Sequence, residues 1–301
     1  MSPNLLKDIP TRNFLSYFSR LFYRSIKDVF SRIKKLESHE LVVDAKAVQI
    51  WMVGHATTLI NIFGTVILTD PVLVHALPPK RLVAPGYLAS DFPPLDYIMV
   101  SHAHFDHCDK RSLRRLAGKT KTIILPRNCS DIVKGMGFKN VIELNWEKSL
   151  KINDVTITAY RPEHWGKRWP WERIDRGFNC YLIEKNGQTV FFGGDTGYGE
   201  YFKSISVKHT IDFALLPISA YNPANLRPHH MNPAEAHQAF LDLRGKHCIP
   251  IHWGSFRLAL EPMSEPPKLF MELAKLSGNL EKIHLLHNGQ SFSYSPEKIL
   301  S

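Results

Sequence analysis

The sequence predicts a mixed α/β protein, a single domain preceded by an N-terminal amphipathic helical extension. Three observations predict it. Short β-branched and aromatic runs recur from residue 48 onward, helical segments fall between them, and the first 40 residues follow a different, purely helical periodicity. No Pro- or Ser-rich linker, internal repeat or low-complexity tract follows residue 45, so the economical division is residues 1–45 and 46–301.

In the extension, Phe14, Leu15, Phe18, Leu21, Phe22, Ile26, Val29, Phe30, Ile33 and Leu36 recur at spacings of three and four, which places them on one stripe of a helix. Arg12, Arg20, Arg24, Lys27, Arg32 and Lys34 occupy much of the remainder. A basic amphipathic helix over residues 12–36 packs on its own domain, joins a homodimer, or lies on an anionic membrane with its cations near the head groups; the pattern leaves all three open. In the domain, residues 48–53, 65–69, 97–100, 122–125, 155–159, 180–184, 189–192, 213–216 and 248–251 read as strands. Residues 110–116, 130–136, 233–243 and 267–276 read as helices, with Asn232 as N-cap ahead of Pro233.

The chain of 301 residues, 44% apolar and 22% charged, is long enough for a sizeable core and excludes general disorder or a fibrous repeat. Its 38 Lys and Arg against 28 Asp and Glu give a formal charge of +10, a field that attracts nucleic acid, an anionic bilayer or a phosphate substrate without ranking them. The catalytic region holds no dense Lys/Arg run and no appended nucleic-acid-binding module, which argues against nucleic acid. Cys108, Cys129, Cys180 and Cys248 are dispersed and read as reduced thiols. No apolar run has the length of a membrane span, and the N-terminus lacks the uninterrupted apolar segment of a secretory signal. A cytoplasmic location, membrane-associated if the extension binds lipid, is the default expectation.

Directly after the strand at 97–100 come Ser101 and then His102, Ala103, His104, Phe105, Asp106 and His107. A lone histidine at a strand end is usually packed or solvated. Four ligand-type side chains within six residues, at the C-terminal end of a buried strand, point to a metal site. Imidazoles and a carboxylate suit zinc, and the same set suits iron or manganese. Further ligand types stand at other strand exits: His164 in Arg-Pro-Glu-His-Trp, Asp195 in Phe-Phe-Gly-Gly-Asp-Thr-Gly, and His252 in Ile-His-Trp-Gly.

In this order, Asp70 in Leu-Thr-Asp-Pro, the cluster from His102 to His107, His164, Asp195 and His252 resemble the five motifs of the metallo-β-lactamase superfamily, over roughly residues 48–290. The resemblance implies a four-layer αββα sandwich with a site for two zinc or other divalent ions at one edge of the paired sheets. It implies that His102, His104 and His164 hold the first ion, that Asp106, His107 and His252 hold the second, and that Asp195 bridges them. Two such ions about 3.5–4 Å apart share a hydroxide and acidify it toward neutrality. Asp106 would also orient the nucleophile. Asp70 either accepts a hydrogen bond from a ligand histidine or serves as a turn residue before Pro71, and His55 either supports the site or packs in the core.

The surrounding segments narrow the resemblance. Residues 51–57, 194–198, 216–223, 230–236 and 251–256 are similar to the N-acylphosphatidylethanolamine-hydrolysing phospholipase D branch, although Asn232 stands where that branch often shows Asp. The resemblance implies hydrolysis of N-acylphosphatidylethanolamine to phosphatidate and an N-acylethanolamine, with phospholipid as the partner of the site. His230, near a helix start, is either a phosphate contact or leaving-group proton donor, or a helix residue with no catalytic part. A nuclease, a lactonase and a non-catalytic scaffold are the rival readings. The complete ligand set argues against the scaffold, since a lost site should lack at least one ligand.

Overall fold

Residue parity along the strands sorts the side chains into layers. In β1 (Val48–Gly54), Ile50 and Met52 face one cluster of buried residues while Trp51 and Val53 face another, so the strand is covered on both sides. Burial on both faces explains why so many strands read as near-continuous apolar runs. The computed structural model describes Asp28 and residues 31–74 and 79–296.

Among these residues, one sheet has the order β13-β1-β2-β3-β4-β5-β6. Its further members are β2 (Thr57–Ile62), β3 (Thr65–Thr69), β4 (Leu95–Met99), β5 (Thr120–Pro126), β6 (Asn140–Leu144) and β13 (Ser291–Tyr294). The second has the order β12-β11-β10-β9-β8-β7, built from β7 (Ser149–Ile152), β8 (Val155–Tyr160), β9 (Cys180–Lys185), β10 (Gln188–Phe192), β11 (Phe213–Pro217) and β12 (His247–Ile251). The helices are α1 (Lys110–Leu116), α2 (Tyr201–Lys208), α3 (Pro233–Asp242) and α4 (Glu265–Leu276).

Three apolar clusters join four layers. Ile50, Ile60 and Ile67 of the first sheet meet Ile157, Ile183, Val190 and Phe213 of the second. On the outer side of the first sheet, Trp51, Leu59, Ile98 and Ile123 cluster with Leu113 and Leu116 of α1. Outside the second sheet, Leu182, Phe191 and Leu216 cluster with Phe202 of α2, Phe240 of α3 and Phe270 of α4. This is the αββα sandwich expected from the sequence.

All nine expected strands are present, and β2, β6, β7 and β13 are additional. Asn232 caps α3 as expected, in a capping box with Glu235. The expected helix at 130–136 is only a 3-10 turn, Ser130–Val133. Its N-terminal amides at Asn128, Cys129 and Ser130 are bound by the Glu143 carboxylate, and the left-handed Gly135 (φ 73°) stops propagation. Most of the expected extension helix lies outside the described residues. Its last six residues, 31–36, are not helical: Lys34 pairs in parallel with Val83, its amide donating to Leu82 O at 2.9 Å. The four cysteines are buried and unpaired. Among the described residues, no helix is long and apolar enough to cross a membrane.

Strand direction sets where a site forms. β3 runs parallel to β4, β10 parallel to β11, and β11 parallel to β12. β1 and β8 are each two antiparallel steps from β3 and β10, and so point the same way as those strands. The C-terminal ends of β1, β3 and β4 therefore share one end of the first sheet, and those of β8, β10 and β12 share one end of the second.

Candidate metal centre

Nine of the ten site residues expected from the sequence follow those strand ends, and the tenth, His230, comes in from a helix start. His55 follows β1, Asp70 follows β3, the His102–His107 loop follows β4, and His164, Asp195 and His252 follow β8, β10 and β12. His230 precedes the Asn232 cap of α3, and the Met231 amide donates to Thr196 O at 3.0 Å, tying that segment to the one carrying Asp195. Three of these residues hold left-handed backbones unusual outside glycine: His55 (φ 64°), Asp70 (φ 35°) and His252 (φ 60°). Such conformations persist where surrounding contacts over-determine them. Here the His252 amide donates to His55 O at 2.9 Å, and Ser219 Oγ donates to His252 O.

The imidazoles and carboxylates form two adjoining sets. In the first, His102 Nε2 lies 2.8 Å from His104 Nδ1, and His164 Nε2 lies 3.4 Å from that same atom. In the second, Asp106 Oδ2 stands 3.5 Å from His107 Nε2, 3.6 Å from His252 Nε2 and 3.1 Å from His55 Nε2. Asp195 lies between them. Its Oδ2 is 3.2 Å from His107 Nε2 and 3.9–4.0 Å from His164 Nε2 and His102 Nε2, while Oδ1 is 3.0 Å from His252 Nε2. His230 Nδ1 approaches Asp195 Oδ2 to 3.7 Å. Asp106, one-fifth exposed, and His104, partly exposed, mark the open side, while the other ligand-type residues are buried.

Outer partners aim the rings. His107 Nδ1 meets Asp70 Oδ2 at 2.6 Å, and that carboxylate also accepts from the Ser101 amide and hydroxyl, each at 2.6 Å. With its proton given to Asp70, Ser101 Oγ accepts from His102 Nδ1 at 2.9 Å, and His229 O accepts from His164 Nδ1 at 3.1 Å. In each case Nδ1 carries a proton and Nε2 faces inward, with a free lone pair on His102 and His164 and, once its second proton is displaced, on His107. Asp70 is thus the hydrogen-bond acceptor of a ligand-type histidine, and His55, bound to Asp106, is support rather than plain core.

The inward atoms fit metal ions. His107 Nε2, His252 Nε2 and Asp195 Oδ1 are buried; the two imidazole nitrogens face Asp195 oxygens at 3.2 and 3.0 Å without the alignment of a hydrogen bond. A native core seldom leaves such atoms unsatisfied, and nitrogen and carboxylate donors converging on one space satisfy zinc or a similar divalent cation. Protonation follows the same division. Burial holds His102 and His164 well below the ordinary imidazole range and brings His104 to about 4, so the first set is neutral and ready to ligate. Burial opposes charge on His107 and His252 as well. Asp195 and Asp106 outweigh it there, raising His107 and bringing His252 to about 9, while both carboxylates fall well below their usual range. Without cations, protons on His107 and His252 balance the two carboxylates.

Other residues of the site carry no sequence signal of their own. Ser101 is marked in the sequence only as the residue before the histidine cluster. Arg168 reaches back from the loop after His164 to donate to Ala103 O (2.7 Å) and Cys108 O (2.8 Å), and stacks over Phe105, clamping the His102–His107 loop. Buried Glu261 accepts from the amides of Ala220 and Asn222, shaping the loop before His230. Gly194 (φ 57°) is required: a Cβ there would stand 2.6 Å from Ser101 Cβ.

A family model described as a beta-lactamase superfamily domain matches residues 65–253, more than half of the chain and the span holding the strand-end motifs. The chain belongs to the metallo-β-lactamase superfamily. Within the superfamily it is similar, at 31% identity over 245 residues, to an uncharacterized protein of Mycobacterium tuberculosis, a match covering 77% of this chain and 65% of that one. It is equally 31% identical to the N-acyl-phosphatidylethanolamine-hydrolyzing phospholipase D 1 of Caenorhabditis elegans (74% of this chain, 68% of the relative). The same identity holds to the mitochondrial phospholipase D of that description in Saccharomyces cerevisiae (76% and 52%). The chain spans just under two thirds of the mycobacterial relative's length. Solved structures share the fold: Igni18, a metallo hydrolase of Ignicoccus hospitalis (TM-score 0.66, 21% identity, 82% of this chain and 98% of that one), and an isothiocyanate hydrolase from Delia radicum gut bacteria (TM-score 0.67, 18%, 82% and 99%).

Proposed function

We propose that the chain is a dinuclear zinc hydrolase of phosphodiesters that acts on phospholipids. On this reading it splits N-acylphosphatidylethanolamine into phosphatidate and an N-acylethanolamine. The observation that carries the reading is the bridging position of Asp195 between the His102–His104–His164 set and the Asp106–His107–His252 set. The 31% identity to two phospholipases D supports the choice of substrate.

His102, His104 and His164 would hold one ion and Asp106, His107 and His252 the other, with Asp195 contacting both. When bound, such ions supply Lewis acidity to the phosphoryl oxygens and to water. The chain's own residues then do the orienting. Asp106, fixed by His55 and open to solvent on one side, positions the incoming water, and the Asp70–Ser101 pair keeps His107 and His102 in their inward tautomers. His230 is buried, and burial lowers its pKa to about 4. Its neutral imidazole is therefore suited to donate an N–H to a phosphoryl oxygen or to the departing oxygen. In the overall step a water oxygen bonds to phosphorus, the phosphorus–oxygen bond to the ethanolamine arm breaks, and one water proton ends on the departing oxygen.

The test is elemental analysis of the purified full chain together with mass spectrometry of products from a mixed lipid extract, beside an oligonucleotide and a lactone. The reading expects two zinc ions per chain, release of N-acylethanolamines, and loss of both metal and turnover in His104→Ala. Cleavage of the oligonucleotide or the lactone alone would replace the substrate assignment.

A further inference from the structure

We propose that the loop from Trp165 to Ile174 is a bilayer-docking surface that seats the mouth of the metal centre on the lipid interface. The inference rests on the phospholipid reading for its purpose and on separate residues for its content.

Trp169 and Trp171 are 45% and 74% exposed, and Ile174 beside them is 40% exposed. The two indoles stack with ring centres 5.1 Å apart, across Pro170. Large apolar side chains held in water at one place, rather than scattered, mark a surface that meets something apolar. The loop cannot relieve the exposure by folding inward, because it is pinned at several points. Arg168 is bonded to Ala103 O and Cys108 O, Glu172 accepts from the Arg168 amide at 2.9 Å, and Arg176 is paired with Glu172 at 2.6 Å.

Charge identifies the occupant. The loop's one acid, Glu172, is committed to Arg176, and Asp175 just beyond it to Arg127, each at 2.6 Å. Lys167 and Arg173 are exposed, and among the described residues neither forms an ion pair. Indoles flanked by free cations match the head-group region of a bilayer, where Trp settles and Lys or Arg meets lipid phosphate. A second copy of the chain fits less well. Two indoles and one isoleucine are far short of the roughly 1,200–2,000 Å² that a stable protein interface covers. The location also suits lipid. Trp169 packs edge-on against Phe105 at 4.7 Å, and Phe105 sits between His104 and Asp106, the two partly exposed residues of the centre. A loop resting on lipid would therefore hold the open side of the centre at the head groups.

The experiment compares the zinc-loaded full chain with Trp169→Ser/Trp171→Ser and, separately, Lys167→Glu/Arg173→Glu. Three readouts are taken: co-sedimentation with vesicles of phosphatidylcholine and phosphatidylglycerol, turnover of lipid in those vesicles, and turnover of bis(p-nitrophenyl) phosphate in solution. The expectation is at least about a tenfold loss of vesicle binding in each double variant, given two interfacial aromatics or two cations removed. Turnover in vesicles should fall in parallel, with turnover of the soluble diester unchanged in Trp171→Ser alone, which keeps the contact of Trp169 with Phe105. Equal vesicle binding by parent and both variants overturns the docking surface, as does a tryptophan variant that keeps vesicle binding but changes the mass of the lipid-free protein by analytical ultracentrifugation, a fourth readout, which would assign the patch to a second copy. Variant-sensitive vesicle binding without any phospholipid cleavage supports the surface and overturns the phospholipid reading, so the two fail separately.

Discussion

Replacing Asp70 by asparagine tests how the centre is aimed without removing a single inward-facing ligand. Asp70 is fully buried, and both of its oxygens are used: Oδ1 accepts from the Ser101 amide at 2.6 Å, Oδ2 from Ser101 Oγ and His107 Nδ1 at 2.6 Å each. In Asp70→Asn the amide oxygen can keep the Ser101 amide, so the turn survives. The NH2 group then faces His107 Nδ1 and Ser101 Oγ, where acceptors stood before. His107 must present a lone pair at Nδ1 and carry its proton on Nε2, the atom aimed at the cation. Ser101 Oγ must accept from the amide; its second lone pair can still meet His102 Nδ1, 2.9 Å away, but its own proton loses the Asp70 acceptor and must turn elsewhere. One oxygen-to-NH2 change therefore disturbs His107 directly and His102 only through the reoriented Ser101 hydroxyl. Loss of a partner that orients a metal-binding histidine costs about 10–100-fold in affinity, or roughly 1.4–2.7 kcal/mol. Competition with a chromophoric chelator at neutral pH should show both zinc ions weakened, the His107-bound one more, while far-ultraviolet circular dichroism stays unchanged. Zinc affinity and turnover equal to the parent's would refute the assignment of Asp70 and Ser101 as the pair that sets these tautomers.

Zinc uptake should depend on pH in a definite direction. In the metal-free protein burial opposes charge on His252 and His107, but Asp195 and Asp106 prevail, raising His252 to about 9 and His107 above its ordinary value; a protonated imidazole cannot ligate. Affinity should rise as pH climbs toward about 9 and weaken as it falls, with protons released on binding. Calorimetry in buffers of different ionisation enthalpy reads that release, and pH-independent affinity between neutrality and pH 9 contradicts it. Gly194→Ala places a Cβ 2.6 Å from Ser101 Cβ at a left-handed φ of 57°; a loss of roughly 1–3 kcal/mol in stability is expected by denaturant titration, with turnover reduced further. Arg168→Met leaves Ala103 O and Cys108 O without their donor and should lower kcat through a loosened ligand loop, at a stability loss of about 1–3 kcal/mol; unchanged kcat would show the clamp to be dispensable.

The centre was legible because its chemistry is dense and periodic in the sequence. Four ligand types in six residues after a buried strand seldom serve packing or solvation alone, and the remaining ligand-type residues each stand within a few residues of a strand exit. The strands buried on both faces were legible because their apolar runs are unbroken. The strands that escaped notice are of two kinds. β6, β7 and β13 are short and carry intermediate or exposed residues that blur the alternation. β2 is fully buried, but follows β1 through a tight turn with a register shift at Met52 and Gly54, and only residues 48–53 of this stretch read as a strand. Tertiary contacts decided the rest. Residues 31–36 have helical spacing, yet Lys34 exchanges backbone hydrogen bonds with Leu82 and Ala84, which no local pattern announces. The left-handed positions His55, Asp70 and His252 are not themselves glycines, and Arg168 gains its role only when the loop after β8 folds back over the ligand loop.

A crystal of the zinc-loaded full chain measured at the zinc absorption edge tests the two-ion centre most directly. Two anomalous peaks are expected, one within coordinating distance, about 2.0–2.2 Å, of His102, His104 and His164 and the other of Asp106, His107 and His252, with an oxygen of Asp195 reaching each. A single peak, or peaks away from these side chains in an active preparation, would contradict the assignment.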